Sequence, residues 1–142
     1  ILSEPAKTET TFETEYQITE AYDRALQDCL SGKYNSAIET FQQITNFPQD
    51  HNIKDNAQYW MAECYYAQKN YPKALTEFQK VKQNYPGTDK VFDAELKVGL
   101  TYIKMGRTDA ARAKLVEISR EWTDPKYKSR ILELSKRIQE GG

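Results

Sequence analysis

The chain has 142 residues, 39% hydrophobic and 29% charged, and 20 Lys and Arg against 21 Asp and Glu leave a formal net charge of −1. That is room for one packed domain, and the hydrophobic share is above the level at which disorder is the default. The balanced charge argues against nucleic acid, whose binding draws most of its affinity from neutralised phosphates, and no apolar run approaches the roughly 18 residues that span a membrane.

Residues 1–13, ILSEPAKTETTFE, have Pro5, acidic residues and threonines but no apolar period. They read as an extended linker, tied down at most by Phe12. The chain begins at Ile1 without Met or a signal-like apolar core, which suggests a processed product or an excised fragment. Thr14 with Gln17 makes a capping box for a first helix over 15–31, whose stripe is Ile18, Tyr22, Ala25, Leu26 and Cys29. After Ser31-Gly32-Lys33, a second helix over 34–46 carries Ala37, Phe41 and Ile44. A polar connection, NFPQDHNIKDN, leads to a helix over 53–68 with Tyr59, Ala62 and Tyr66.

Lys69-Asn70 turns into a helix over 71–84, with Asn70 as its cap, Pro72 in its first turn and Ala74, Phe78, Val81 and Tyr85 along its stripe. Tyr85-Pro86-Gly87 stops it, and Thr88 can start the next helix, 89–105, with Leu96, Gly99, Leu100 and Ile103. Gly106-Arg107 leads to 108–122 with Ala111, Leu115, Ile118 and Trp122. Asp124 before Pro125 opens a last helix over 125–139, with Tyr127, Ile131, Leu134 and Ile138 inward and Lys and Arg turned toward water.

These elements repeat at an interval of 37: Ala37, Ala74, Ala111; Phe41, Phe78, Leu115; Ile44, Val81, Ile118; Ala25, Ala62, Gly99. Tyr34 and Tyr71 continue into Thr108, and Tyr65 into Tyr102. Small residues at fixed intervals let two helices approach to about 8–10 Å, and a lone hairpin leaves its second apolar face uncovered until a neighbour stacks on it. The expectation is an all-α solenoid of three hairpins, about 15–50, 52–87 and 89–123, with a capping helix, together a domain over 14–140. Ala74 is expected against the first helix of its own hairpin near Ala62.

Chemistry is sparse. Cys29 and Cys64 are the only cysteines and His51 the only histidine, with no CxxC and no His pair, so no metal site and no cofactor are expected. The cysteines read either as a disulfide or, the favoured reading, as two small semi-buried residues on separate helices. His51 reads as a solvated loop histidine, and the serines have no base companion. Catalysis would need titratable groups converging in a pocket, so the chain is not expected to be an enzyme.

The columns resemble the tetratricopeptide repeat, whose pattern of small residue, Tyr, Gly, Ala, aromatic and Pro is matched best by Ala62, Tyr65, Ala74, Phe78 and Pro86, then by Gly99, Tyr102, Gly106 and Ala111. Repeat one departs with Asp28 in the Tyr column. Within that superfamily the 37-residue period, Tyr59-Trp60, the NYP before Gly87 and the ARAKL of the last repeat look like the C-terminal domain of Tol-Pal-associated periplasmic proteins of the YbgF/CpoB type. That resemblance implies a right-handed α-solenoid, a periplasmic setting and a scaffold in cell-envelope organisation and cell division. The alternatives are an outer-membrane assembly or secretion accessory protein, or a cytoplasmic adaptor. The coiled coil that precedes the domain in that family is not in this sequence, which leaves open a homo-oligomer through a missing N-terminal region.

The resemblance also implies a concave groove lined by the first helices. Its positions here are Thr19, Tyr22, Leu26 and Cys29; Asn56, Tyr59, Glu63 and Tyr66; and Asp93, Leu96, Leu100 and Ile103. Tyr22, Leu26, Asn56, Tyr59, Glu63, Tyr66, Leu96, Leu100 and Ile103 are the residues expected to hold a protein or peptide partner, either an extended segment or an amphipathic helix. Tyr22 and Leu26 stand where related chaperone-tail adaptors carry Lys and Asn, which argues against a carboxylate clamp.

Overall fold

The computed structural model describes residues 13–141, so the linker reading of 1–12, including Phe12, lies outside the described residues. The rest is all-α: α1 Glu15–Leu30, α2 Tyr34–Thr45, α3 Lys54–Ala67, α4 Tyr71–Asn84, α5 Lys90–Lys104, α6 Thr108–Glu121, a 3-10 turn Pro125–Tyr127, and α7 Lys128–Gly141. Each helix packs on the next in the chain, and α1, α3, α5 and α7 also touch in sequence, which is the stacking of a helical solenoid.

The apolar interior divides into three adjoining clusters, each fed by three successive helices. The first joins Ile18, Ala25 and Cys29 of α1 to Phe41 of α2 and to Ala57, Met61 and Cys64 of α3. The second takes Ala62 from α3, Ala74, Phe78 and Val81 from α4, and Val91, Ala94 and Val98 from α5. The third takes Phe92 and Leu96 from α5, Ala111 and Ile118 from α6, and Leu134 and Ile138 from α7. Ala62 and Ala74 share a cluster and are both fully buried, as their columns predict. Gly99 does a different job from the one its column suggests. A Cβ there would sit 2.9 Å from Leu134 Cδ2, so its missing side chain admits α7.

The hairpin turns repeat as faithfully as the cores. Gly32, Lys69 and Gly106 all have positive φ (87°, 64° and 74°). After each, an N–H returns to a carbonyl five residues back: Lys33 to Asp28 (2.7 Å), Asn70 to Tyr65 (2.9 Å) and Arg107 to Tyr102 (2.8 Å). This is the left-handed helix stop that closes the last turn of a helix. The helix starts are less uniform. Thr14 Oγ1 accepts from Gln17 N–H while Gln17 Oε1 accepts from Glu13 N–H, and Asp124 caps through Lys126 N–H. The side chain of Asn70 makes no capping bond, and Asp89 rather than Thr88 precedes α5.

Two buried polar pairs tie first to second helices. Gln58 donates to the Glu77 carbonyl (2.9 Å) and to Glu77 Oε1 (2.8 Å), and Lys114 reaches Glu95 Oε2 at 2.7 Å. Each is the other moved along by one repeat. In repeat one the same positions hold Ala21 and Thr40.

Cys29 and Cys64 form a disulfide between α1 and α3, with Cα atoms 6.0 Å apart, a spacing ordinary disulfides have. The favoured reading of two unlinked cysteines is thereby corrected. Cys64 lies on the face of α3 that turns back to the first hairpin with Ala57 and Met61, which brings it against α1. His51 is corrected too: its side chain is only 10% exposed, and Nδ1 accepts the Ile53 N–H at the entrance to α3.

Two stability measurements test this account. Lys69 is the one non-glycine with a positive φ among the described residues. Lys69→Gly should raise stability by about 0.5–1 kcal/mol, the left-handed strain relieved less the entropy glycine adds to the unfolded chain; an unchanged or lowered thermal midpoint refutes this. Replacing Cys29 and Cys64 with Ser should cost about 2–4 kcal/mol in denaturant unfolding, because the bond closes a long loop in the unfolded state.

Candidate functional site

The side of the solenoid formed by the first helices presents an aromatic stripe that passes into a charged pocket. Tyr22, Tyr59 and Tyr66 are half-buried rather than free-standing. Each sits edge-on to the phenylalanine of its own hairpin's second helix: Tyr22 to Phe41 (5.9 Å between ring centres), Tyr59 to Phe78 (5.6 Å) and Tyr66 to Phe78 (6.5 Å). One edge of each ring therefore belongs to the core, and the other remains for the surface. Leu26 is half-buried on the first cluster, and Asn56 is half-buried at the start of α3.

Cations cover the aromatic faces. Lys90 Nζ lies 4.9 Å from the Tyr59 ring centre, and Lys97 Nζ lies 4.2 Å from that of Tyr66. Lys97 also pairs with Glu63 at 2.9 Å, and Tyr59 donates its hydroxyl to Glu63 Oε2 at 3.2 Å. Burial, then the Glu63 and Asp93 carboxylates and the hydrogen bond to Glu63, push the Tyr59 phenol far above the ordinary tyrosine range, with Arg130 opposing. Burial first, then Tyr71 and Glu63, raises Tyr66 as well, and Arg137 pulls it back. Both tyrosines remain neutral hydroxyl donors at any physiological pH.

In the third repeat α7 modifies the expected surface. Leu96 is 8% exposed, and Leu100 and Ile103 are half-buried against the cluster that contains Leu134 and Ile138. Between α3, α5 and α7 remains an open pocket of about 200 Å³ lined by Tyr59, Leu96, Leu100 and Leu134, with Asp93, Lys97, Arg130, Glu133 and Arg137 at its edges. Thus Tyr59, Leu96 and Leu100 come together, and Glu63 joins them through Lys97 and Tyr59. Tyr22 and Leu26 lie along the stripe in the first repeat, outside this pocket.

The charged rim is what sequence reasoning missed. The basic residues of α7 were assigned to a solvated outer face, whereas Arg130 pairs with Asp93 at 2.5 Å and packs its guanidinium 5.0 Å from the Phe92 ring centre. A signal was present: Asp93 and Arg130 occupy the same position in successive first helices, 37 residues apart. Among the described residues no group of three or more His, Cys, Asp or Glu side chains is arranged to hold a metal ion.

Helical hairpins stacked with a common turn and a common small-residue column define a tetratricopeptide-fold repeat protein. The tetratricopeptide repeat model matches residues 56–88 and 93–121. No curated protein matches in sequence. Among solved structures, the chain is similar to the Yersinia enterocolitica type III secretion chaperone SycD, crystallised in complex with a peptide of the translocator YopD. The TM-score is 0.73 at 15% identity, over 90% of this chain and 94% of that one.

The periplasmic placement is corrected by this finding: a solved structure similar along most of the chain is a type III secretion chaperone. The residues behind that expectation do packing work common to helical repeats. Tyr59 and Trp60 meet edge-on at 5.9 Å, and the Ala111 and Leu115 of the ARAKL segment face the third cluster. Packing of this kind carries no information on compartment.

The neutral Tyr59 phenol gives a direct check. Tyr59→Phe should develop the same phenolate absorbance as the parent through the ordinary tyrosine range near pH 10, because Tyr59 is not ionised there. The sign follows from linkage: a phenol raised in the folded state contributes stability below its unfolded value and loses it as pH climbs above. A parent-minus-variant difference already complete in that range would place Tyr59 in water.

Proposed function

We propose that the chain is an accessory interaction module that holds an extended segment of a partner protein along the concave face of its first helices. The observation that carries this reading is the half-exposed stripe of Tyr22, Tyr59 and Tyr66 running into the pocket over Leu96 and Leu100. Rigid aromatic rings already fixed by the core lose little entropy on binding and supply most of the energy at protein interfaces. An extended strand suits the site better than a helix, since the pocket is side-chain-sized and smaller than the roughly 300 Å³ at which small-molecule sites begin.

The secretion-accessory reading is favoured over a Tol-Pal or cell-division role. It is supported by the likeness in fold to a secretion chaperone crystallised with a peptide of its translocator. That likeness bears on architecture; the partner of this chain has to be found with this chain.

The test is selection from a displayed library of random peptides, followed by affinity measurements on the Tyr59→Ala, Tyr66→Ala double variant. Selected peptides should bind the variant at least about 30-fold more weakly, roughly 2 kcal/mol, with helical circular dichroism retained. Unchanged affinity would move the binding surface to the convex side or the ends of the array.

A further inference from the structure

The pocket between α3, α5 and α7 has a chemistry more specific than a general peptide groove. Its floor is aliphatic, made by Leu96 and Leu100 of α5 and Leu134 of α7. Five charged side chains stand around it: Lys97, Arg130 and Arg137 against Asp93 and Glu133. Two of the cations are already committed. Arg130 pairs with Asp93, and Lys97 pairs with Glu63 while lying over the Tyr66 ring.

Arg137 differs. It has no carboxylate within ion-pairing distance among the described residues, although Glu133 stands one turn before it on the same helix. Its charge nevertheless reaches the Tyr66 hydroxyl. An exposed guanidinium beside an apolar floor and the Tyr66 phenol is a strong hydrogen-bonding fork left without an acceptor. Asp93 is held by Arg130, and Glu133 stands between Arg130 and Arg137 on α7, so Arg137 is the pocket cation left without a partner.

We infer that this pocket anchors one aliphatic side chain of the partner segment and that Arg137 binds the carboxylate of an Asp or Glu adjacent or next but one to it. This rests on the groove reading above and names the partner chemistry that reading leaves open. A leucine-sized group fills the floor, and the acidic neighbour supplies the acceptor Arg137 lacks. A basic residue is disfavoured beside Arg137. The acid is an internal side chain, because the pocket is open and neither Lys97 nor Arg130 is free to close around a chain terminus.

The experiment pans one random peptide library, with peptide C-termini fused to the display protein, against the parent, Arg137→Glu and Leu100→Asp. Arg137 is exposed and outside the buried clusters, so Arg137→Glu should keep its helicity and thermal midpoint. The parent should enrich peptides with Leu, Ile or Met beside Asp or Glu. Arg137→Glu should bind those peptides at least about tenfold more weakly and on its own enrich Lys or Arg beside the same aliphatic residue, while Leu100→Asp loses both sets.

Three results would overturn the inference. Enriched peptides that depend on Leu100 but show no acidic preference, or bind Arg137→Glu equally well, leave the groove reading standing and remove the role given to Arg137. Enriched peptides that survive both Leu100→Asp and the tyrosine double variant overturn the groove reading with it. Failure of the parent to enrich any peptide counts against both.

Discussion

Every interior first helix in this fold must be apolar on two faces at once. α3 gives Ala57, Met61 and Cys64 to the cluster behind it and Ala62 to the cluster ahead. α5 gives Val91, Ala94 and Val98 backward and Phe92 and Leu96 forward. A helix with a single stripe can close only one interface, so the array continues as long as two-faced helices continue. The ends obey the same rule from the other side. α1 buries one stripe, Ile18, Ala21, Ala25 and Cys29, and α7 buries only Leu134 and Ile138. Other features follow from it: a helix wedged between two cores needs a small residue where its neighbours approach, and it leaves one remaining side uncovered.

That constraint explains what was legible. The 37-residue columns fix side-chain size at each crossing, and size is written directly in Ala37, Ala74 and Ala111 or in Phe41 and Phe78, so helix order and boundaries follow to within a residue or two, except that the last helix opens with a 3-10 turn over Pro125–Tyr127 and is α-helical only from Lys128. The turn column was half-visible, since Gly32 and Gly106 announce a left-handed stop while Lys69 hides one. What the pattern concealed was the second face. Gln58, Glu77 and Glu95 interrupt apolar periodicity, yet all three are buried because each polar group meets a partner across the hairpin. The disulfide was hidden for a related reason. Its cysteines are 35 residues apart, not 37, so they belong to different faces of successive first helices and share no column.

Those buried pairs select register. A charged or amide group taken out of water gains little net stability even when well paired, but a mispaired one costs several kcal/mol. In the second hairpin the partners are Gln58 and Glu77, and in the third Glu95 and Lys114. Exchanging the second helices would set Glu95 against Glu77, two buried carboxylates. Hairpins with nearly interchangeable apolar columns are thereby kept from packing on each other's helices. Lys114 shows the bond at work: burial opposes its charge, yet hydrogen bonds to Glu95 and Glu117 hold it above the usual lysine range.

In the third repeat α7 changes the surface presented along the first helices. A closing helix must shield the forward face of α5, and Gly99 lets Leu134 come close enough to do it. The same approach brings the basic side of α7 over the concave side of α5, where Arg130 meets Asp93 and Arg137 stands near Tyr66. A cap that only ended the core would need an apolar stripe and any soluble outer face. Here the side of α7 next to that stripe is also the wall of the pocket, so one helix completes the interior and sets the charge around the pocket. A substitution that loosens α7 from α5 should therefore disturb affinity and stability together, whereas changes confined to its outward side, at Ser129 or Lys136, should touch neither.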